Sequence, residues 1–253
     1  MLIATGVEVL ELPMDLFGAP TSVHPTLVWD DEGAVLIDAG FPGQLEQLRE
    51  AVEDAGVSFN RIRKVVVTHQ DIDHIGGIAA LLADADDRIE VLAHEADRPY
   101  IVGEKRLIKA NPERLAQLSK RLSFLPEERR KAVIAAFETT KARVDRTLAD
   151  GERLPSCGGV VVIHTPGHTP GHICLYLERT KILVAGDALN VSDGLLVGPN
   201  PRATDDMPRA IASLEKLARY DVETVVCYHG GPYSGGVNAR IAELAAAEPD
   251  PGA

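Results

Sequence analysis

The sequence predicts an α/β fold, with two strand-rich halves around a helical insert. The prediction rests on apolar, β-branched runs that end abruptly in Asp, Gly or His, and on segments of helical period between them. In the first half, strands are expected near Glu8–Leu12, Thr26–Asp30, Ala34–Asp38, Lys64–His69 and Glu90–Ala93, with helices near Gln44–Ala55 and Gly77–Ala83. The run Val65-Val66-Val67 has no polar alternation, as expected of a buried parallel strand. The second half repeats the plan, with strands near Gly159–His164, His172–Leu177, Lys181–Ala185 and Thr224–Tyr228, and helices over Asp205–Ala218 and Val237–Ala247.

Between the halves, an insert of roughly residues 97–154 reads as helical throughout. Asn111 is placed to cap a helix with Pro112 in its first turn, and Leu115, Leu118, Leu122 and Leu125 follow at helical spacing. A second helix is expected from Pro126, carrying Val133, Ile134, Phe137, Val144 and Leu148. Leu107, Leu122, Phe124 and Phe137 are candidates for an apolar wall over a site. The tail Glu248–Ala253 contains two prolines and a glycine and is expected to fray. No linker divides the chain, so all 253 residues are read as one domain.

Composition narrows the function classes. A formal charge of −12 disfavours a general nucleic-acid-binding face. The amino terminus has no basic stretch or long apolar run, so neither an export signal nor a membrane span is expected, and the compartment is read as cytoplasmic. Cys157, Cys174 and Cys227 share no short metal-binding spacing and are read as reduced thiols, the latter two in core strands. Few aromatic residues are available as interface anchors, and the helical insert is the first place to look for a homodimer contact.

The chemistry is concentrated in Thr68-His69-Gln70-Asp71-Ile72-Asp73-His74-Ile75-Gly76-Gly77. Two His and two Asp sit on a strand-to-helix loop, where open α/β sheets place their ligand sites. A plain polar loop with Asp73 as helix N-cap accounts for only one of the four. Imidazoles and carboxylates packed so closely are typical donors to Zn²⁺ and harder divalent cations. Further strand ends carry the same residue types. His164-Thr-Pro-Gly-His168-Thr-Pro-Gly-His172 follows one, Asp187 closes another, and His229 ends a third before Gly230-Gly231.

In this order the set resembles the metallo-β-lactamase superfamily, whose motif reads His-x-His-x-Asp-His, then a His in Pro-Gly-His, then Asp, then His. Asp38, in Val35-Leu-Ile-Asp-Ala-Gly40, fits the family's first motif, an Asp that supports the site without binding metal. The resemblance runs from about Val35 to His229. It implies an αββα sandwich of two mixed β-sheets flanked by helices, and two divalent metal ions at one edge. Carried over residue by residue, it implies His69, Asp71 and His168 for the first metal, Asp73, His74 and His229 for the second, and Asp187 as the bridge. The other histidines receive weaker roles: His164 and His172 as orienting or strand-capping residues, His94 near the surface or behind the site, and His24 in a loop at the entrance.

Asp71 departs from the pattern, since most relatives have a second His there. Two carboxylates, two divalent ions and a hydroxide sum to about +1, whereas a third carboxylate brings the sum to about zero. Zn²⁺ remains the first expectation, with Mn²⁺ or Fe²⁺ favoured more than three imidazoles would favour them. Asp71 can ligate after a backbone adjustment, bind through water, or leave the first metal weakly held; direct ligation is the reading adopted. The resemblance implies hydrolysis by a hydroxide shared between the metals, with Asp73 orienting it and passing a proton to the leaving group. A small-molecule lactone or carboxylic ester is the expected substrate. The motifs are also similar to those of glyoxalase II, a thioesterase. A carboxylate at position 71 is similar to the di-iron flavodiiron core, an oxidoreductase. Asn190 stands where lactonases of this fold carry an assisting Tyr; its amide can still donate a hydrogen bond, and Tyr228, beside His229, can serve instead, although an aromatic at a strand end more often packs.

Overall fold

The computed structural model describes residues 1–16, 19–86 and 88–247, so the expected fraying of the tail from Glu248 lies outside the described residues. The first half contributes β1 (Leu2–Ala4), β2 (Val7–Val9), the hairpin β3 (Leu12–Leu16) and β4 (Ala19–Val23), β5 (Thr26–Trp29), β6 (Ala34–Ile37), α1 (Leu45–Asp54), β7 (Ile62–Val67), α2 (Ile72–Ile75), α3 (Ile78–Asp84) and β8 (Glu90–His94). The insert holds α4 (Arg98–Ile101), a 3-10 turn at Ile108–Ala110, α5 (Pro112–Arg121) and α6 (Glu127–Thr139). After β9 (Arg146–Leu148) and β10 (Arg153–Leu154) come β11 (Val160–His164), β12 (Ile173–Leu177), β13 (Ile182–Gly186), a second hairpin β14 (Asn190–Ser192) and β15 (Leu195–Val197), α7 (Met207–Leu217), β16 (Thr224–Cys227), β17 (Gly231–Ser234) and α8 (Val237–Ala245).

Two mixed sheets result. The first has the order β1-β2-β5-β6-β7-β8-β9 and the second β10-β11-β12-β13-β16-β17. Strands β6 to β9 run parallel, as do β13 and β16, so several strand ends emerge at a common rim. Side chains alternate between two interiors, as the period of a strand requires. In the first sheet Val35, Ile37 and Val66 face the second sheet, while Ala34, Leu36, Val65 and Val67 face the helices. In the second, Leu175 and Val184 meet the first sheet, while Cys174, Leu183 and Cys227 pack under α7 and α8. The αββα layering explains the unalternating apolar runs, because both faces of each central strand are covered.

The insert corrects the expectation that it is helical throughout. Asn111 caps α5, accepting the Arg114 N–H at 2.9 Å. The second helix, however, ends at Thr139, so neither Val144 nor Leu148 lies on it. Leu148 belongs to β9 at the edge of the first sheet, and residues 153–154 begin the second. Val144 lies before β9 and packs against the helix-side core, whereas Leu148 packs between the sheets, so their spacing of four marks no common face. The β3–β4 hairpin escapes the sequence pattern because Pro13, Pro20 and Asp15 break it. Among the described residues no helix is long and apolar enough to cross a membrane.

Candidate metal centre

The rim where β7, β13 and β16 end is also where the β11–β12 loop turns. Strand β7 delivers Thr68 to Asp71, and α2 immediately presents Asp73 and His74. The loop after β11 brings His168, the end of β13 brings Asp187, and the end of β16 brings His229. Their donor atoms form two groups, His69, Asp71, His168 and Asp187 in one, Asp73, His74 and His229 in the other, each within 4.8 Å. Asp187 faces both. Its Oδ1 is 3.3 Å from His74 Nε2, and its Oδ2 is 3.4 Å from His168 Nε2 and 3.5 Å from His229 Nε2. Asp71 Oδ2 lies 3.0 Å from His69 Nε2 and 2.9 Å from His168 Nε2. Asp73 Oδ2 is 3.2 Å from His229 Nε2. Asp71, rather than Asp73, occupies the N-cap position of α2, and its side chain makes no capping bond. It is turned toward the two imidazoles.

Neighbouring residues fix the orientation of these donors. Asp38, held in the left-handed region at φ 61°, accepts the Thr68 N–H at 2.8 Å and the Thr68 hydroxyl at 2.7 Å. Its Oδ2 also accepts from His74 Nδ1 at 2.8 Å. His74 Nε2 is thereby directed into the centre. Thr68 Oγ1 sits 3.1 Å from His69 Nδ1, so Asp38 acts on both histidines. His172 accepts the Asp187 N–H through Nε2 at 3.0 Å and donates through Nδ1 to Thr165 Oγ1 at 2.8 Å. Burial and the adjacent His69 and His168 hold the His172 pKa well below the ordinary value, as an accepting ring requires. Gly186 at φ +52° makes this approach possible, since a Cβ there would lie 2.7 Å from His172 Nε2. Gly77 likewise has Ala39 O only 2.1 Å from where a Cβ would be, which lets α3 start against the Asp38 loop.

The remaining sequence candidates divide. His164 stacks on His94 with centroids 3.8 Å apart, away from the donor groups, and bonds Pro170 O. His24 Nδ1 donates to Tyr228 O at 3.0 Å. Tyr228 is buried against His74, and its hydroxyl donates to the Asp73 carbonyl, so it supports α2 rather than facing substrate. The Asn190 amide donates to Gly198 O at 3.1 Å within the hairpin.

Three functional residues escaped the sequence reading. Asp97, fully buried, accepts from Gln70 N–H, Gln70 Nε2, Thr169 Oγ1 and Gly171 N–H at 2.7–3.0 Å, tying the His69 loop to the His168 loop. Gln70 in turn accepts the Ile108 N–H at 2.9 Å. Lys109 bonds Asp71 Oδ2 and lies 2.8 Å from His168 Nε2. One signal pointed to Asp97: β8 is another parallel strand ending at the same rim.

The donor set suits divalent cations. His74 Nε2 and Asp187 Oδ1 are buried with no hydrogen-bond partner, which is costly unless a cation lies between them. Burial lowers the proton affinity of His74 and His229, but the surrounding carboxylates outweigh it. Asp38, Asp73 and Asp187 hold His74 well above its ordinary value, and Asp187 and Asp73 hold His229 at about 10. His229 therefore binds a proton more tightly than a free imidazole does. A histidine raised from 6.5 to about 10 on folding stabilises fully below 6.5, and that stability is lost as pH rises through 10. Thermal melts of chelator-treated protein should therefore fall between those limits, and zinc-loaded protein should not show that decline. Parallel slopes in the two series would refute this.

A cavity of about 650 Å³ opens over the donors. Its floor includes Asp71, Asp73, Asp187 and His229, and its walls Met14, Phe41, Leu107, Leu118, Val133 and Phe137. Of the four expected wall residues, Leu107 and Phe137 are present. Leu122 is instead fully buried, and Phe124 is 61 % exposed outside the cavity.

Comparison with known proteins agrees with this geometry. The model of the metallo-beta-lactamase superfamily matches residues 18–229. The "Probable metallo-hydrolase YflN" of Bacillus subtilis is 33% identical over 224 residues, 83% of this chain and 81% of that protein. A linear primary-alkylsulfatase from a Pseudomonas species is 26% identical over 81% of this chain but only 40% of its own length. A metallo-beta-lactamase family protein from Thermus thermophilus superposes with a TM-score of 0.72 at 26% identity, covering 97% of this chain and 80% of that one.

Proposed function

Because the chain belongs to the metallo-β-lactamase superfamily, we propose that it is a metal-dependent hydrolase that cleaves an ester or lactone bond in a small molecule bearing an apolar group. The observation that carries this reading is the convergence of seven donor residues, of which Asp71, Asp73, Asp187 and His229 form the floor of an apolar cavity. His69, Asp71 and His168 would hold one divalent ion and Asp73, His74 and His229 a second, with Asp187 shared. Zn²⁺ fits the imidazoles, and Mn²⁺ or Fe²⁺ gains from the third carboxylate. Such ions acidify water and polarise a carbonyl oxygen.

The protein's own groups supply the rest. Asp73 faces the cavity and is the residue placed to hold a proton for the leaving group. Leu107, Leu118, Val133 and Phe137 seat the apolar part of the substrate and exclude water from it. A sulfate ester of an alkyl chain is a second reading, favoured by the same apolar walls and by the likeness to the alkylsulfatase.

The test is a panel of lactones, aryl and alkyl esters, thioesters and alkyl sulfates assayed with zinc- and manganese-loaded protein. Longer acyl chains should raise kcat/KM for the preferred class. Phe137→Ala should raise KM for a long-chain substrate about tenfold with little change in kcat, given the apolar contact removed. A panel with no turnover by metal-loaded protein would sink the reading.

A further inference from the structure

Lys109 is the one residue of the helical insert whose side chain bonds a member of the donor groups among the described residues. Its ammonium bonds Asp71 Oδ2 and lies 2.8 Å from His168 Nε2. The same carboxylate oxygen is the point on which His69 Nε2 and His168 Nε2 converge, at 3.0 and 2.9 Å. We propose that Lys109 is a built-in cation of the first donor group, so that the two metal positions are unequal: tight at Asp73, His74 and His229, and weaker at His69, Asp71 and His168, where a metal must compete with the ammonium. This rests on the metal-dependent reading above.

Several independent features support it. The backbone around Lys109 is anchored to the metal loop itself, through Ile108 N–H to Gln70 Oε1 at 2.9 Å and Gln70 Nε2 to Asp97 Oδ1 at 3.0 Å. Asn111 closes the turn from the other side, donating to Ile108 O at 3.0 Å. The lysine side chain is only 21 % exposed, so it is held at the site rather than sampling solvent. Charge balance points the same way. Asp71 adds a third carboxylate to the centre and Lys109 cancels it, leaving the pair with the net charge of a neutral side chain.

The unsatisfied atoms are turned toward the second group, one on its His74 and the other on Asp187, the carboxylate that faces both groups. The buried donor atoms without a hydrogen-bond partner, His74 Nε2 and Asp187 Oδ1, face one another beside Asp73. His69, Asp71 and His168 have none among the described residues, because Asp71 and Lys109 already engage them. A cation entering the second group displaces only protons, which leave to solvent, and satisfies the orphaned atoms there. One entering the first must either displace the ammonium from Asp71 or share the carboxylate with it, and like charges at that range repel strongly.

The test is a Zn²⁺ titration of chelator-stripped protein, by calorimetry against a competing chelator, with Co²⁺ absorption as a second readout. The wild type should bind one equivalent tightly and a second at least about tenfold more weakly. Lys109→Met should strengthen the weaker site about tenfold or more and leave the tight one within about twofold. Two equally tight equivalents in the wild type would overturn the proposal while leaving a metal-dependent hydrolase intact. So would an unchanged gap in Lys109→Met. Failure to bind any metal would instead remove the reading on which the proposal rests.

Discussion

Asp187→Asn is expected to lower hydrolysis about a thousandfold and to cost the protein at least one bound metal. Asp187 alone faces both donor groups, with Oδ1 toward His74 and Oδ2 toward His168 and His229. Burial raises its proton affinity, but His229, His168 and His74 outweigh that and hold the carboxyl well below its ordinary range, so it is ionised at neutral pH. Asn keeps the shape and the backbone N–H that His172 accepts, and it removes the charge. Several kcal/mol of charge stabilisation is at stake, and that converts to about three orders of magnitude in rate. Metal content by mass spectrometry and kcat/KM on the preferred substrate would be measured together. A variant that retained its metals and kept activity within about tenfold of wild type would show that Asp187 is not shared.

The second large effect is on stability. Asp97→Ala removes a buried carboxylate that accepts four hydrogen bonds from Gln70, Thr169 and Gly171. The donors left behind are themselves buried and would lose their partner outright. Bonds to a charged acceptor, together with orphaned donors, make a loss of about 3–5 kcal/mol the expectation. For a domain of this size that is a fall of roughly 10 °C in Tm. Because Asp97 ties the His69 loop to the His168 loop, metal affinity should drop as well. Asp97→Asn should recover part of the stability. A Tm within about 2 °C of wild type for Asp97→Ala would contradict this account.

What could be read beforehand follows from how local each signal was. Strands β6, β7, β13 and β16 were legible because both their faces are buried, leaving Val65-Val66-Val67 or Ile182-Leu-Val-Ala without polar interruption. The donors were legible because each lies just beyond such a run. β9, β10 and the β14–β15 hairpin were not, since they are two or three residues long and mostly polar or exposed. The anomaly of Asp71 was visible in the motif, but its partner was not. Lys109 is 38 positions away, in a segment rich in other charges, and only the folded chain singles it out. Asp97 is similar, since its role depends on contacts with residues 27 to 74 positions away. Leu122 and Phe124 were expected on the wall because inserts of the resembled family commonly shape the pocket, but they follow the end of α5, where one turns into the core and the other to solvent.

Both donor groups draw on both sheets. His69, Asp71, Asp73 and His74 hang from the end of β7, whereas His168, Asp187 and His229 come from the second half. Neither half alone contains a complete set. Slippage of one sheet past the other by a single residue would move facing atoms by about 3.3 Å, enough to break coordination while leaving most apolar contact in place. Cation affinity therefore serves as a gauge of sheet alignment. The interdigitation of Val66, Leu175 and Val184 between the sheets, remote from any reacting atom, is in this sense part of the coordination chemistry.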